Sequence, residues 1–214
     1  MSTTKTNDEL KELFSASSKT PKVVTVPKMQ YLMIDGKGDP NKSKEFQDAV
    51  QALYGLAYTM KFDRKKQGKE SDYKIAPLEG LWWSENMSDF SNNNRTKWQW
   101  TLMLEQPDSI TKTEVAKAAK EVEEKKHLDT VSNVRLEKWS EGECAQIMHI
   151  GPYSSEAPTI EKLHDFIRDQ GADISGKHHE IYLGDPRRSA PEKLKTILRQ
   201  PLKRQSRNTL HRPA

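Results

Sequence analysis

One stretch of the chain decides the fold prediction: Lys177-His178-His179-Glu180-Ile181-Tyr182-Leu183-Gly184-Asp185-Pro186. It predicts a single β-strand that ends at Gly-Asp-Pro. Because successive side chains of a strand point to opposite faces, His178, Glu180 and Tyr182 share one face, and the residues between them share the other. A carboxylate is costly to bury without partners, so Glu180 lies either on a solvated face or in a pocket that uses it.

The composition is typical of a soluble, charge-rich domain. Of 214 residues, 34% are hydrophobic and 31% are charged, and the mean hydropathy is −0.91. This length suits one ordinary domain or two fused halves. No apolar run approaches the ~18 residues of a membrane span, and segment 1–20 lacks the apolar core of a secretory signal. The single cysteine, Cys144, excludes an internal disulfide, so we expect a structural thiol and a cytoplasmic location.

The net charge of +4 comes from the C-terminus. The last sixteen residues hold five basic residues and no acidic one, and the remaining chain has 30 basic and 31 acidic residues. These five are Arg199, Lys203, Arg204, Arg207 and Arg212. The segment lacks interleaved aromatic residues, so we expect a surface tail and no nucleic-acid partner.

The chain between the termini predicts two matched halves. The first half has a strand at 29–35, a helix with an apolar stripe from Phe46 to Ala57, and a hairpin of strands around 78–83 and 98–105. The second half has a tight hairpin at Ser140-Glu141-Gly142-Glu143, a helix from about 155 to 171, and the opening strand. Antiparallel sheet with helices on one face is the natural packing, so the predicted class is α+β.

These elements predict the following organisation. A flexible N-terminal segment covers 1–21, and a domain covers 22–200. The domain contains two pseudo-repeats, about 22–108 and 130–186, joined by a helix at 111–126 that opens with the capping box Thr111-Lys112-Thr113-Glu114. A basic tail covers 201–214.

Each long helix is followed by a strand with a glutamate before an aromatic residue on the same face. The pairs are Glu79 with Trp83, and Glu180 with Tyr182. If the two halves are related by a pseudo-two-fold axis, these strands lie on either side of a shared groove. Trp98 and Trp100 add two rings on a neighbouring strand. Each tryptophan taken alone is predicted to be a core residue, but rings clustered beside a glutamate are typical of a pocket for planar, apolar or cationic ligands.

Several segments resemble the GyrI-like family of small-molecule-binding proteins. They are 73–83 with PLEGLWW, Trp98-Gln99-Trp100, Gln106-Pro107-Asp108, His149-Ile150-Gly151-Pro152-Tyr153 and His178 to Pro186. The resemblance covers about 22–200 and implies tandem strand–helix–strand–strand modules with a central groove. The family is related to the effector-binding domains of MerR-type and AraC-type drug-sensing regulators. We expect a stand-alone member, because the segment before Val23 is too short for a helix-turn-helix.

The resemblance also implies roles for individual residues. Glu180 matches the family's acidic residue at the bottom of the ligand groove. The implied aromatic walls are Trp82, Trp83, Trp100, Tyr153 and Tyr182, with Trp98 beside them. Alternation sends Trp82 and Trp83 to opposite faces, and which of them faces the groove stays open. Glu79 is either a second carboxylate of the site or a hydrogen-bonding partner of the backbone in the symmetric position.

Other chemistry has little support in the sequence. The six histidines lack the spacing of a zinc site, and no phosphate-binding glycine loop or serine-hydrolase elbow occurs. We therefore expect no metal and no cofactor.

Three functional hypotheses follow. The preferred one is cytoplasmic binding of planar hydrophobic or cationic small molecules, for drug or toxin sequestration, by a monomer or a dimer. The second, which comes from the resemblance, is a hydrolase that opens cyclopropanoid genotoxins with Glu180 orienting water. The third is a protein-interaction modulator of the gyrase-inhibitor type, for which the sequence selects no partner.

Overall fold

The structure is a computed structural model that describes residues 11–68, 73–85 and 94–205. The helices that lie wholly within these ranges are α1 (Lys44–Lys66), α2 (Lys112–Lys126) and α3 (Ala157–Asp169). The strands are β1 (Lys22–Val26), β2 (Met29–Lys37), β3 (Leu78–Trp83), β4 (Gln99–Gln106), β5 (Arg135–Trp139), β6 (Gly142–Ile150), β7 (Ala172–Ile174), β8 (His178–Tyr182) and β9 (Lys195–Arg204). Short 3-10 turns precede β4, β5, α3 and β9. None of the helices in the described ranges is long and apolar enough to cross a membrane.

The strands form an antiparallel sheet in the order β1-β6-β9-β8-β3-β4-β2-β5, and β7 pairs with β9 beside it. Helix α1 packs on β2 and β4, and α3 packs on β6 and β9, so the predicted α+β class is confirmed. Two strand–helix–strand–strand units, β2-α1-β3-β4 and β6-α3-β8-β9, meet where β3 pairs with β8. This central pair places the Glu79 strand directly beside the Glu180 strand.

Helices α1 and α2 each begin with a side-chain cap. The Ser43 hydroxyl accepts a hydrogen bond from the Phe46 amide at 3.2 Å and caps α1. Basic residues occupy the last turn of α1, where they favour the negative end of the helix dipole. The predicted capping box of Thr111 and Glu114 opens α2, which packs on α1 through a thin buried stripe.

The predicted hairpin between β5 and β6 is wrong. Both strands exist, but β5 pairs with β2, while β6 pairs with β1 and β9. A turn sequence such as 140–143 is compatible with a tight hairpin, yet it does not determine which strands pair. Here the carboxylate of Glu141 in the turn is buried and makes ion pairs with His179 and Arg199, and the two strands that flank the turn pair with other strands.

Both termini of the domain differ from the prediction. Strand β9 runs to Arg204 inside the sheet, so residues 201–204 do not belong to a tail, and Arg199 is 1% exposed. The strand was missed because its basic residues suggested a solvated segment. At the other end, residues 11–21 are described and packed: Leu13 is buried, and its carbonyl accepts a hydrogen bond from Arg199. The remaining predictions for both tails lie outside the described residues.

The two faces of the sheet have separate cores. On the helix face, the part under α1 and α2 is filled by aliphatic side chains with Trp82 and Trp100. The part of the same face under α3 is filled by a smaller aliphatic cluster. The opposite face carries a cluster that includes Tyr31, Met103 and Leu81. Because residues alternate between these faces, the position of a residue in β3 or β8 decides which environment its side chain enters.

Candidate functional site

The register of β3 against β8 places the two glutamates on opposite faces. Gly80 lies directly opposite Glu180, and Trp82 lies opposite His178. Paired residues of an antiparallel sheet share a face, so Glu180 faces the helices together with Trp82. Glu79 faces the other side and is 0% exposed. The expectation that Glu79 and Glu180 border one groove is therefore not met.

Glu180 is held by a short hydrogen-bond chain. The Tyr182 hydroxyl donates to Glu180 Oε2 at 2.7 Å, and the Trp82 indole N–H donates to the Tyr182 oxygen at 3.1 Å. Burial, together with the nearby charge of Glu180, raises the pKa of Tyr182 well above its usual value, so the hydroxyl keeps its proton. The Glu180 side chain retains 15% of its exposure, so the carboxylate is within reach of solvent.

Gly80 makes room for this chain. A Cβ at position 80 would lie 2.8 Å from Trp82 Nε1 and 3.2 Å from the Tyr182 hydroxyl. The first distance is shorter than Cβ contacts in proteins allow and the second is tight, so a side chain at position 80 would displace the indole from the phenol.

Aromatic rings surround the chain on the helix face. Phe46 of α1 stacks on Trp82 with ring centroids 5.9 Å apart, and Trp98 meets Trp82 edge-on at 5.9 Å. Tyr153 meets Tyr182 edge-on at 5.6 Å. The structure thus brings Trp82, Trp98, Tyr153 and Tyr182 of the predicted walls to Glu180, and it adds Phe46, which the sequence analysis placed only in a core stripe.

Two of the predicted wall residues do not line the site: Trp83 faces the other side of the sheet, and Trp100, which pairs with Trp82 on the helix face, is a core residue. Trp83 is on the opposite face, where Lys177 Nζ lies 3.1 Å from its ring centroid. Trp100 is fully buried over Gly36, and its ring fills the space that a side chain at position 36 would need. Which of Trp82 and Trp83 faces Glu180 is thereby answered in favour of Trp82, because the β3–β8 register determines the face.

Glu156 is a second carboxyl group near Glu180 that the sequence analysis missed. It is 5% exposed, and burial together with the charge of Glu180 raises its pKa to about 9. At neutral pH Glu156 is therefore protonated, and the two residues form an acid beside a carboxylate. The one sequence feature that could have drawn attention to Glu156 is its position just before Ala157-Pro158, at the start of a helix. Such a residue predicts a cap, but this side chain makes no capping hydrogen bond.

His149 positions the turn that carries Tyr153 and Glu156. Its Nδ1 lies 3.0 Å from the Thr159 hydroxyl in α3, and its Nε2 lies 3.3 Å from the Pro152 carbonyl. These contacts join the end of β6 to both sides of the 3-10 turn Tyr153–Ser155. His149 is 6% exposed, so it supports the site from below and does not line it.

A charge network is buried on the opposite face. His179 Nδ1 lies 3.0 Å from Glu141, and its Nε2 lies 3.0 Å from Glu79 without hydrogen-bond alignment. Arg199 completes the network, 3.4 Å from Glu141. Burial alone would lower the pKa of His179, but the carboxylates of Glu141 and Glu79 raise it to about 9. Two cations thus balance two anions, which suits a structural role beneath β8.

Other features of the described residues offer no competing site. No group of three or more His, Cys, Asp or Glu side chains in the described ranges could hold a metal ion. Two surface clefts on the helical layer are lined largely by exposed lysine and glutamate side chains and do not include Glu180. Cys144 is buried, and burial raises the pKa of its thiol, so it is an unreactive core residue.

The fold and the site together define a class. Two strand–helix–strand–strand units share a central strand pair, and an acidic residue with aromatic neighbours lies over that pair. This arrangement is typical of an α+β small-molecule-binding domain. The family model of the GyrI-like small molecule binding domain matches residues 19–203, so the chain belongs to the GyrI-like family.

Solved structures agree with this assignment. An uncharacterized conserved protein from Listeria innocua has 43% sequence identity and a TM-score of 0.84, with 92% of this chain and 98% of that chain covered. A hydrolase from Listeria innocua has 41% identity and a TM-score of 0.79 over the same shares. The EcmrR C-terminal domain has 9% identity and a TM-score of 0.54, with 87% and 98% covered, and shows a similar fold only. A comparison with curated proteins finds no match.

Proposed function

We propose that this protein binds planar hydrophobic or cationic small molecules over Glu180, on the helix face of the β3–β8 pair, and thereby sequesters drugs or toxins in the cytoplasm. The observation that carries the proposal is a partly exposed carboxylate held by Tyr182 and surrounded by aromatic rings. Burial disfavours an isolated charge, so the carboxylate favours a cation that can replace its water. Flat rings offer stacking surfaces to such a ligand.

The electrostatics of the carboxyl pair support one negative charge at the site. Glu156 holds its proton up to a pKa of about 9 because it is buried near Glu180. A monocation therefore meets a single carboxylate, and the protonated Glu156 remains a hydrogen-bond donor. The walls come from both halves of the chain, with Phe46 and Trp82 from one half and Tyr153 from the other.

Intrinsic tryptophan fluorescence tests the proposal, because Trp82 and Trp98 lie beside the site. Titration with ethidium, a planar cation, is expected to quench emission with saturation. Glu180→Gln is expected to weaken binding of the cation about tenfold, since it removes the charge and keeps the shape. Glu137→Gln, an exposed change on β5, is the matched control. Saturable quenching that is equal in all three proteins would contradict a role for Glu180, and absence of quenching across a panel of planar cations would contradict the proposal.

A second candidate is hydrolysis of a reactive cyclopropanoid compound. The specific observation is the pair of Glu156, which is protonated at neutral pH, and Glu180, in a partly exposed site. Glu180 would take a proton from water as the water oxygen bonds to a ring carbon. The strained carbon–carbon bond would break, its electron pair would move into a conjugated carbonyl, and Glu156 would protonate that oxygen. Similar proteins from Listeria innocua are described as hydrolases, which supports this candidate.

Product analysis separates binding from catalysis. A cyclopropanoid compound incubated with wild-type protein is expected to gain one water, and both Glu180→Gln and Glu156→Gln are expected to slow this at least a hundredfold. Turnover that is equal in the wild type and both variants would remove the carboxyl pair from the mechanism. Binding without turnover by the wild type would leave sequestration as the function for that compound. Nothing in the described residues favours the third hypothesis, a protein-interaction modulator.

A further inference from the structure

We propose that the ligand of this site carries hydrogen-bonding groups along one edge of a planar ring system, and that His178 and His164 recognise that edge. The proposal rests on the proposed function and narrows its ligand class. A purely hydrophobic cation would satisfy the aromatic walls and the charge of Glu180, but it would leave the histidine side of the site unpaired.

The first observation is the state of His178, which follows Glu180 along the same face of β8. Its side chain is 10% exposed, and its Nε2 is buried without a hydrogen-bond partner among the described residues. The neighbouring Glu180 Oε1 lies 3.6 Å away, which is beyond hydrogen-bonding distance. Buried polar atoms are nearly always paired in proteins, so an unpaired nitrogen beside a partly exposed carboxylate indicates a place for an exogenous partner.

His164 of α3, which lies near His178, is the second histidine with an unpaired ring nitrogen. Its Nε2 is also buried and has no hydrogen-bond partner in the described part of the chain. Burial and the proximity of His178 lower the pKa of His164, so the ring is neutral at pH 7. A neutral imidazole offers one donor and one acceptor, whereas an imidazolium offers only donors. The amide of Gln200 is near this ring but does not reach hydrogen-bond geometry with Nε2.

The opposite end of the site also holds buried polar atoms that lack hydrogen-bond partners among the described residues. Glu156 Oε1 and the Thr196 hydroxyl are buried without hydrogen-bond partners within the described ranges, although the two side chains are near each other. Thr196 pairs with Tyr182 across β8 and β9, so it lies on the Glu180 face. The distance along β8 from His178 to Tyr182 is about 13 Å at ~3.3 Å per residue. A row of this length suits two or three fused rings with polar groups at both ends.

The two sides of the site therefore select different parts of a ligand. The aromatic side, with Phe46 and Trp82, accepts any flat ring and discriminates little. The polar side favours a ligand that pairs it, because the buried histidine nitrogens have no hydrogen-bond partner among the described residues until such a ligand supplies one. Discrimination by a site built to hydrogen-bond a polar group is stronger than discrimination by an apolar pocket.

Proflavine and acridine orange test this inference as a matched pair of probes. Both are planar acridinium cations, but proflavine carries primary amino groups at its edge, whereas acridine orange carries dimethylamino groups that cannot donate. We expect proflavine to bind the wild-type protein about tenfold more tightly by tryptophan quenching. His178→Phe and His164→Phe are expected to reduce this ratio to about twofold or less, because they keep the ring and remove the nitrogens. His178→Asn, which retains a donor and an acceptor, is expected to restore most of the preference.

Each outcome has a defined meaning. A proflavine preference that falls in the phenylalanine variants and returns with asparagine supports the inference. Equal binding of the two dyes by the wild type overturns it and leaves the proposed binding function intact. A preference that stays unchanged in both phenylalanine variants also overturns it, since the methyl groups of acridine orange would then weaken binding by their size and not by the loss of donors. Absence of binding by either dye contradicts the proposed function itself for this class of cation.

Discussion

His179 is expected to make the stability of the protein depend on pH in the neutral to alkaline range. The charged groups of its network come from three parts of the sheet: Glu79 of β3, Glu141 of the β5–β6 turn and Arg199 of β9. Tyr31 of β2 is coupled to Glu79, but burial raises its pKa, so it stays neutral. All four members of the ion-pair network have side chains that are at most 2% exposed. Loss of the His179 proton would leave two buried carboxylates with one cation.

The sign and size of this pH dependence follow from the raised pKa of His179. A folded-state pKa of about 9, against an ordinary value of 6.5, stabilises the folded state fully below pH 6.5. The contribution is lost as the pH rises through 9. At ~1.36 kcal/mol per pH unit, the whole effect is about 3 kcal/mol, of which about 2 kcal/mol disappears between pH 6.5 and 8.5.

Glu156 titrates with the same sign and must be removed from the measurement. Its folded-state pKa of about 9, against an ordinary value of 4.5, also lowers stability as the pH rises between those values. The assay is therefore urea unfolding of Glu156→Gln at pH 6.5, 7.5 and 8.5. The upper limit stays below 9.0, the ordinary thiol pKa, because above it the buried Cys144, whose pKa is raised by burial, would lower stability appreciably as well.

The comparison protein is Glu156→Gln combined with His179→Gln and Glu79→Gln. This variant removes one buried charge of each sign, so Glu141 and Arg199 remain as a balanced pair. It is expected to be less stable at pH 6.5 but nearly constant up to pH 8.5. A single His179→Gln change is expected to cost about 3–5 kcal/mol, because it leaves a buried carboxylate unbalanced. A flat profile in the Glu156→Gln parent, or the same slope in the combined variant, would refute the reasoning.

Three further predictions concern single contacts. Gly80→Ala is expected to cost about 1–3 kcal/mol of unfolding free energy and to shift tryptophan emission, because the new Cβ would lie 2.8 Å from Trp82 Nε1; unchanged emission in urea titrations would argue against this steric contact. Tyr182→Phe is expected to cost about 1–3 kcal/mol in chemical denaturation, since Glu180 loses a 2.7 Å donor; a cost near zero would mean that water replaces the hydroxyl. Thr111→Ala is expected to cost about 1 kcal/mol in thermal unfolding through loss of the α2 cap, and an unchanged midpoint would show that the first turn does not limit stability.

The elements with a clear local signal could be predicted from the sequence. Helix α1 shows its apolar stripe, and α2 shows its capping box, because periodicity and capping involve residues close in sequence. The β3–β4 hairpin was also predicted correctly. The β5–β6 hairpin was not, although its turn sequence is favourable, because β5 pairs with β2 and β6 with β9, and such long-range partners have no signal in a turn sequence.

The candidate site could be predicted only in part. Alternation along β8 correctly placed His178, Glu180 and Tyr182 on one face, since period two is a property of any strand. Glu79 was grouped with Glu180 because their sequences look alike, but the register sets Gly80 opposite Glu180 and turns Glu79 to the other side. Glu156 had no strong local signal, because its raised pKa arises from burial and from a charge brought near by tertiary packing.

The sequence by itself determined the α+β class, the family, the strand that carries Glu180 and the face on which Glu180 lies. These properties depend on periodicity, turn residues and short motifs, all of which act over a few residues. Only the tertiary structure decided that Trp82 rather than Trp83 neighbours Glu180, that Glu156 joins it, and that Glu79 enters a buried ion-pair network with His179. Register, burial and electrostatic coupling join residues that are distant in sequence, so their outcome is set when the two halves pair at β3 and β8.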